Sequence, residues 1–399
     1  MRVKLRDVCS SIYDGDHNAP PKSEHGVPFI TISNIDANDG AIDFSNTAFV
    51  PEEYYESLKV ERRPKCNDVL YSVVGSFGIP SLVRNDSKFV FQRHVAILRP
   101  SKAIDPAYLY YVLKDPSFFH WADAVAIGAA QRTVTLGQLR AKEIELPDME
   151  TQRHVADVLS AYDELIENNR RQIKLLEEAA QRLYREWFID LKFPGHETTS
   201  IVDGLPEGWR KATLGELSVL ITRGITPRYS ETSDFLVLGQ RCVRGNLVDL
   251  SCARRCERKG IAEQKMLKCG DVLINSTGTG SLGRTAQVWF DPIEITVDSH
   301  VTIVRASSPE LSSYLAQWAF ANESFIESLH TGSTGQTELP RERVSSIRVL
   351  APSPRALNQF NGFVSPMIGK MTMLQRNIAA AREARDRLLP KLMSGEIEV

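Results

Sequence analysis

No stretch of this 399-residue chain approaches the ~20 consecutive apolar residues that a membrane-crossing helix requires. The opening segment, MRVKLRDVCSS, is charged and has no apolar core of a signal peptide, so the expected location is the cytoplasm. Cysteine is scarce: six residues are too few for a disulfide scaffold. Four of them (Cys242, Cys252, Cys256, Cys269) lie in the second half, but no C-x-x-C pair occurs and no nearby His completes a tetrahedral set. Reduced, mostly buried thiols and no metal site are the expectation. A dominant charge is missing too. The net charge is −2, so no whole-molecule field draws the chain onto nucleic acid. Any contact with nucleic acid has to come through local patches or with a partner's help.

Catalytic signatures are absent as well. There is no H-E-x-x-H, no G-x-S-x-G and no complete phosphate-binding loop. Asn18-Ala19-Pro20-Pro21-Lys22 has neither the spacing nor the aromatic of an adenine methyltransferase segment. Pro147-Asp148 and Asp190-Leu191-Lys192 stand at opposite ends of a helical stretch and cannot easily converge on one metal. Asp148 with Thr151 reads as a helix start. What remains is an ordinary globular composition, 42% hydrophobic and 25% charged, in a chain long enough for two to three cored domains.

The chain repeats itself. C-N-D-V-L-Y-S-V at 66–73 returns as C-G-D-V-L-I-N-S at 269–276, and each runs into a glycine-containing turn. F-Q-R-H-V-A-I-L-R at 91–99 parallels V-D-S-H-V-T-I-V-R at 297–305. A-A-Q-R-T at 129–133 faces T-G-Q-T at 334–337. Such self-similarity outranks any single local motif.

The helices repeat more strictly. Val155, Leu159, Tyr162, Ile166, Asn169, Ile173, Leu176, Ala180, Leu183 and Trp187 are spaced by alternating fours and threes, a heptad seam. Adding 205 gives Phe360, Val364, Met367, Met371, Leu374, Ile378, Ala381, Arg385, Leu388 and Leu392, of which only Arg385 is not apolar. Gly362, Pro366 and Gly369 predict a kink or a late start in the second helix. Asn169, the one polar position of the first seam, is expected to pin the register. Val155 to Trp187 would span about 50 Å, matching roughly 14 base pairs of duplex.

Strand-like runs at 27–32, 69–74, 90–98, 235–238, 272–274 and 301–304 mix with short helical runs at 106–121 and 310–328. The expected organisation is a mixed domain over 1–147, a helical spacer over 148–192, a linker over 193–211, a second mixed domain over 212–351 and a second spacer over 352–399.

The stretch N-S-T-G-T-G-S-L-G-R-T-A (275–286) contains G-x-G-x-x-G and is one side chain short of a phosphate loop, with Arg284 in place of Lys. A dinucleotide site needs a helix after the glycines. The following T-A-Q-V-W-F-D-P is β-branched and aromatic, so it reads as a strand, and the turn reads as a hairpin. Short hydrogen-bonding side chains and one guanidinium surround these glycines. They suit close approach to phosphates or base edges. The candidate contacts are Ser76; Gln92, Arg93 and His94; Gln131, Arg132 and Thr133; Gln240, Arg241 and Arg244; Ser276, Thr277, Thr279, Ser281 and Arg284; Ser299 and His300; and Thr334, Gln336 and Thr337. Each alone also fits a solvated loop; their recurrence in both halves favours function.

S-T-G-T-G-S-L-G-R (276–284), G-S-T-G-Q-T-E-L (332–339), L-P-E-G-W (205–209) and the helix ends 179–188 and 388–395 give the chain a resemblance to the specificity subunit of type I restriction–modification enzymes. The resemblance covers nearly the whole chain. It implies an α+β fold: two mixed α/β target-recognition domains joined by two long antiparallel coiled-coil helices in a pseudo-twofold tandem repeat. It implies that each domain reads one half of a split double-stranded DNA site. The helices would dock two modification (methyltransferase) subunits and, through them, restriction/translocase subunits. The chain itself would be non-catalytic and hold no cofactor, with S-adenosylmethionine, ATP and Mg on the partners. The first half departs from the pattern: it begins at Val3 without an L-P-x-G-W lead, and its glycine turn is poorer. A self-sufficient DNA-modifying or DNA-cleaving enzyme and a coiled-coil binding scaffold remain as rival readings.

Overall fold

The computed structural model describes all residues except 17, 18, 38, 46, 130, 279, 333–336 and 399. The chain divides into two compact units, Met1–Asn168 with Asn377–Val399, and Asn169–Arg376. In the first, the strands are β1 (Arg2–Lys4), β2 (Cys9–Asp14), β3 (Val27–Ile30), β4 (Ala48–Val50), β5 (Val69–Ser72), β6 (Pro80–Leu82), β7 (Val90–Phe91), β8 (Val95–Pro100) and β9 (Glu143–Glu145). They form a four-stranded sheet β2-β8-β5-β6, a three-stranded sheet β4-β3-β7 and the pair β1-β9.

The second unit has β10 (Ile201–Val202) and β11 (Leu205–Pro206), which pair as a separate hairpin, then β12 (Arg210–Thr213), β13 (Ser218–Arg223), β14 (Leu236–Leu238), β15 (Val243–Arg244), β16 (Asn246–Val248), β17 (Arg254–Arg255), β18 (Val272–Asn275), β19 (Thr285–Gln287), β20 (Ile295–Val297), β21 (Val301–Ala306) and β22 (Arg348–Ala351). Its sheets run β13-β21-β18-β19-β16-β15, β17-β14-β20 and β12-β22. Strand for strand this is the first unit again, with β16 and β15 added at one edge. Even the parallel pairings recur, β3 with β7 and β14 with β20.

The repeated sequence blocks become repeated chemistry. Arg99 clasps the buried Asp68 through two bonds of 2.9 and 2.8 Å, and Arg305 clasps the buried Asp271 through two of 2.8 and 2.7 Å. Each carboxylate also accepts a backbone N–H at 2.8 Å, from Lys65 and from Lys268. Two-point pairing fixes both the plane and the position of each arginine, so it locks the central strands β5 to β8 and β18 to β21. The first four residues of each of those strands are buried, so both faces are covered.

The first long helix runs Met149–Tyr184. Asp148 caps it, accepting from Thr151 N at 2.8 Å. It continues into a π-helical turn, Arg185–Ile189. That turn delivers Trp187 and Phe188 into the second unit's core, where their rings lie 5.8 and 4.9 Å from that of Phe360. The second long helix runs Pro354–Met393 without interruption, so the late start suggested by Gly362, Pro366 and Gly369 does not occur. Burial of Phe360, Val364 and Met371 outweighs the poor local propensity.

In the first unit Val155 and Leu159 share a core with Leu389 and Leu392. In the second, Ala180 and Trp187 share one with Phe360 and Val364. Ile166, Ile173, Leu374 and Ile378 are buried as the seam requires. Tyr162, Leu176, Leu183 and Leu388 are only half-buried, and Asp163, Tyr184 and Leu389 take the inner positions. An α-helix of 3.6 residues per turn drifts off a strict heptad, and that drift moves the contact by one residue.

Asn169 is buried, but its amide nitrogen has no hydrogen-bond partner among the described residues. It therefore supplies no directional lock through that nitrogen, and its part as a register pin is left to the cost of sliding a buried polar group. In the first unit that lock is Arg385, whose Nη1 donates to Asp163 Oδ1 at 2.6 Å.

Glu177 in the second unit is a misfit of the same kind. One carboxylate oxygen is buried without a partner, and burial, aided by Glu178, pushes its pKa up to about 7 from an ordinary 4.5. A carboxyl whose folded pKa is raised contributes stability that is full below 4.5 and lost as pH rises through about 7. Glu177→Gln should raise the unfolding midpoint at pH 8 and flatten the slope between those values. Thermal melts from pH 4 to 8 test this; an unchanged slope refutes it.

Candidate nucleic-acid interface

The glycines of 278–283 make a hairpin, not a phosphate cradle. They join β18 to β19: Asn275 N donates to Arg284 O at 2.8 Å, and Gly283 N donates to Asn275 O at 2.8 Å. Gly283 has φ +84, and a Cβ there would sit 2.9 Å from Glu323 O, so the turn packs against a neighbouring helix. No helix follows to aim its N-terminus at a phosphate, because Thr285–Gln287 is a strand.

In the second unit four segments meet at this hairpin. Gln240 Nε2 donates to Thr277 Oγ1 at 2.9 Å and also reaches Thr277 O. Thr277 Oγ1 lies 2.8 Å from His300 Nδ1. His300 N donates to Asp298 Oδ1 at 2.9 Å. Thr277 also bridges to Glu338, and Leu339 N donates to Ser276 O at 2.8 Å. Arg223 then staples two of the segments, donating to Ser299 O at 3.0 Å and to Leu339 O at 2.8 Å. Sequence reasoning missed Arg223, because its partners are carbonyls 76 and 116 residues away. Burial pushes the Asp298 carboxyl above its ordinary value, against the backbone bond and the charge of His300.

The candidates fall into distinct groups. Ser276 is fully buried and its hydroxyl lies 2.6 Å from Thr302 Oγ1, so it supports the turn and does not face a ligand. Asn275, buried likewise, donates to Gln240 O at 3.1 Å. Arg241, Arg244 and His300 are exposed; Ser281, Arg284, Ser299 and Thr337 are half-buried. Thr279, Thr334 and Gln336 lie outside the described residues.

The first unit assembles the same segments. Val73 N donates to His94 O at 2.8 Å, and Gly75 N to Arg132 O at 2.9 Å. Thr133 bridges both Val74 and Ile127. The Gln92–His94 loop, the turn bearing Ser76 and the hairpin bearing Gln131–Thr133 are thus one rim. Arg93 and Ser76 are exposed. Arg132 is engaged: it pairs with Asp123 and lies 5.4 Å from the Phe77 ring centroid. Burial, with help from Arg93, holds His94 below the ordinary histidine range.

A close backbone approach, equivalent in the two units, sits beside each rim. A Cβ on Gly15 would lie 2.3 Å from Phe91 O, and one on Gly224 would lie 2.0 Å from Val297 O. Only glycine lets the end of β2 or β13 reach the loop after β7 or β20.

Among the described residues no group of three or more His, Cys, Asp or Glu could hold a metal ion, and no helix is long and apolar enough to cross a membrane. Three of the six thiols (Cys9, Cys242, Cys256) are buried and Cys269 is exposed. Burial raises the pKa of the Cys9 thiol to about 12 and that of Cys242 to about 11.

Residues 1–178 match the model of the type I restriction modification DNA specificity domain. The chain is 26% identical over 311 residues to the type I restriction enzyme MjaIX specificity subunit of Methanocaldococcus jannaschii, covering 75% of this chain and 71% of that one. It is 30% identical over 149 residues to the EcoBI specificity subunit of Escherichia coli, covering 36% of this chain and 30% of the relative. The crystal structure of the type I restriction–modification S subunit from M. genitalium shares the fold, with a TM-score of 0.58 at 17% identity over 98% of this chain and 95% of that one.

Proposed function

We propose that this chain, a relative of the type I restriction–modification specificity subunits, is the sequence-reading subunit of such a complex. Each unit reads one part of a bipartite, asymmetric double-stranded DNA site. The observation that carries this reading is the recurrence of one rim in both units, built from the same three segments, with exposed cations on it or on the adjoining 240–244 segment: Arg93 in the first unit, Arg241 and Arg244 in the second. Two modification subunits dock on the long helices and bring restriction subunits with them. S-adenosylmethionine, ATP and Mg belong to those partners. With a net charge of −2, the chain leaves much of the phosphate contact to them.

Co-purification with the neighbouring gene products, followed by mapping of methylated motifs in host DNA, tests this. A split motif that depends on the chain is the expected result; methyl transfer or ATP hydrolysis by the rigorously purified chain alone would refute it. Arg284, half-buried and without an ion pair among the described residues, is expected to contact a base. Arg284→Ala should cost about 1–3 kcal/mol of binding and relax only the half-site read by the second unit. An equal loss on every duplex would make it a phosphate contact or a structural residue.

A further inference from the structure

Beside the rim, the two units differ at a matched position of the small sheet. In the first, Phe29 of β3 pairs with Ala48 of β4 and, on its other side, with Val90. In the second, Val237 of β14 pairs with Arg254 of β17 and, on its other side, with Thr296. The two registers match, so Arg254 occupies the place of Ala48. Beside Ala48 the first unit has an apolar cavity of about 560 Å³, bordered by Phe29, Phe49, Tyr54 and Gln92. The second unit instead has a guanidinium at the equivalent place.

That guanidinium is held, and it is free to bind. Its Cζ lies 3.8 Å from the centroid of Tyr229, and it donates to the Tyr229 hydroxyl. Arg254 is exposed and has no carboxylate partner among the described residues, whereas the adjacent Arg255 pairs with Asp234 at 3.6 Å. Stacking on an aromatic face fixes the plane of the fork and removes much of the rotamer entropy that an exposed arginine otherwise loses on binding. Arg254 also adjoins the reader. Its partner Val237 precedes Leu238, whose carbonyl accepts from Asp298 N at 2.9 Å. Its charge reaches the Asp298 carboxyl, opposing the upward push of burial there.

We propose that Arg254, stacked on Tyr229, is a specificity-determining residue of the second unit that pairs bidentately with the O6 and N7 of one guanine in its half-site. A planar fork matches the two acceptors of guanine in the major groove. A lysine can reach the same acceptors but as a point charge without a plane, so it holds the base less well. The proposal rests on the DNA-reading function above.

The test uses the intact complex with its modification partners. Competition binding compares the mapped duplex with duplexes carrying 7-deazaguanine at each guanine of the second half-site in turn. At one guanine the analogue is expected to weaken wild-type binding by roughly 10- to 100-fold. Arg254→Ala should weaken the unmodified duplex by a similar factor and be insensitive to the analogue at that position, and Arg254→Lys should show a smaller loss and a reduced sensitivity. First half-site preference should stay the same in both. Tyr229→Leu should reproduce a smaller, position-specific loss. If both variants retain full sensitivity to the analogue at every guanine, or weaken all duplexes equally, the proposal is overturned while sequence-specific recognition stands. A wild-type complex that shows no preference among duplexes removes the recognition function itself and the proposal with it. A poorly folded alanine variant leaves the lysine variant and the wild-type analogue scan to decide.

Discussion

Arg385→Leu should destabilise the first unit by about 3–5 kcal/mol, among the largest losses of any single substitution in the chain. Arg385 is 2% exposed. It donates to Asp163 at 2.6 Å and to Asp386 at 2.7 and 2.9 Å. Asp163 is buried and takes a further bond of 2.7 Å from the Tyr111 hydroxyl. Remove the guanidinium and Asp163 remains as a buried charge whose nearest cation is Lys114, 3.8 Å away. At that distance, and already donating to the Tyr110 hydroxyl at 2.7 Å, the lysine is a weak substitute. The loss therefore comes from stranding a charge, not from losing a strong bond. Two consequences follow. Asp163→Leu combined with Arg385→Leu should recover part of the stability, because the stranded carboxylate is gone while Lys114 loses its partner. Urea midpoints should fall for the single variant at constant m. A single-variant loss below about 1 kcal/mol would show that water enters the site and screens it.

Gly224→Ala should abolish recognition of the second half-site, at a cost near the upper end of the 1–3 kcal/mol typical of overpacking. The added carbon would meet two backbone oxygens, Val297 O at 2.0 Å and Asp298 O at 2.3 Å. Backbone cannot swing aside as a side chain does. The end of β13 must therefore separate from the 297–300 loop, which carries Asp298, Ser299 and His300. Gly15→Ala should do the same to the first half-site through Phe91 O and Gln92 O. Methylated-motif mapping should show each variant degenerate in one half only. If either variant keeps both halves intact, the rims are not the readers.

By itself the sequence determined the duplication, the two long helices and the hairpin at 278–283. These rest on periods and spacings within short windows: offsets of 203 to 206, a 3.5-residue seam, and a strand pattern after the glycines. It also brought forward the three segments that form each rim, because they recur. What it could not determine were partners distant along the chain. Ser276 looks like a reader and is a buried strut, because Thr302 lies opposite it. Arg385 looks like a flaw in an apolar seam and is its lock, because Asp163 comes from the other helix, 222 residues away. Arg223 and Arg254 carry no motif at all; the first is defined by two carbonyls and the second by one tyrosine ring. The persistence of the second helix through Gly362, Pro366 and Gly369 likewise depends on burial of Phe360, Val364 and Met371. Local pattern is legible where propensity and period decide. Where desolvation and long-range pairing decide, only the folded chain brings the deciding groups together.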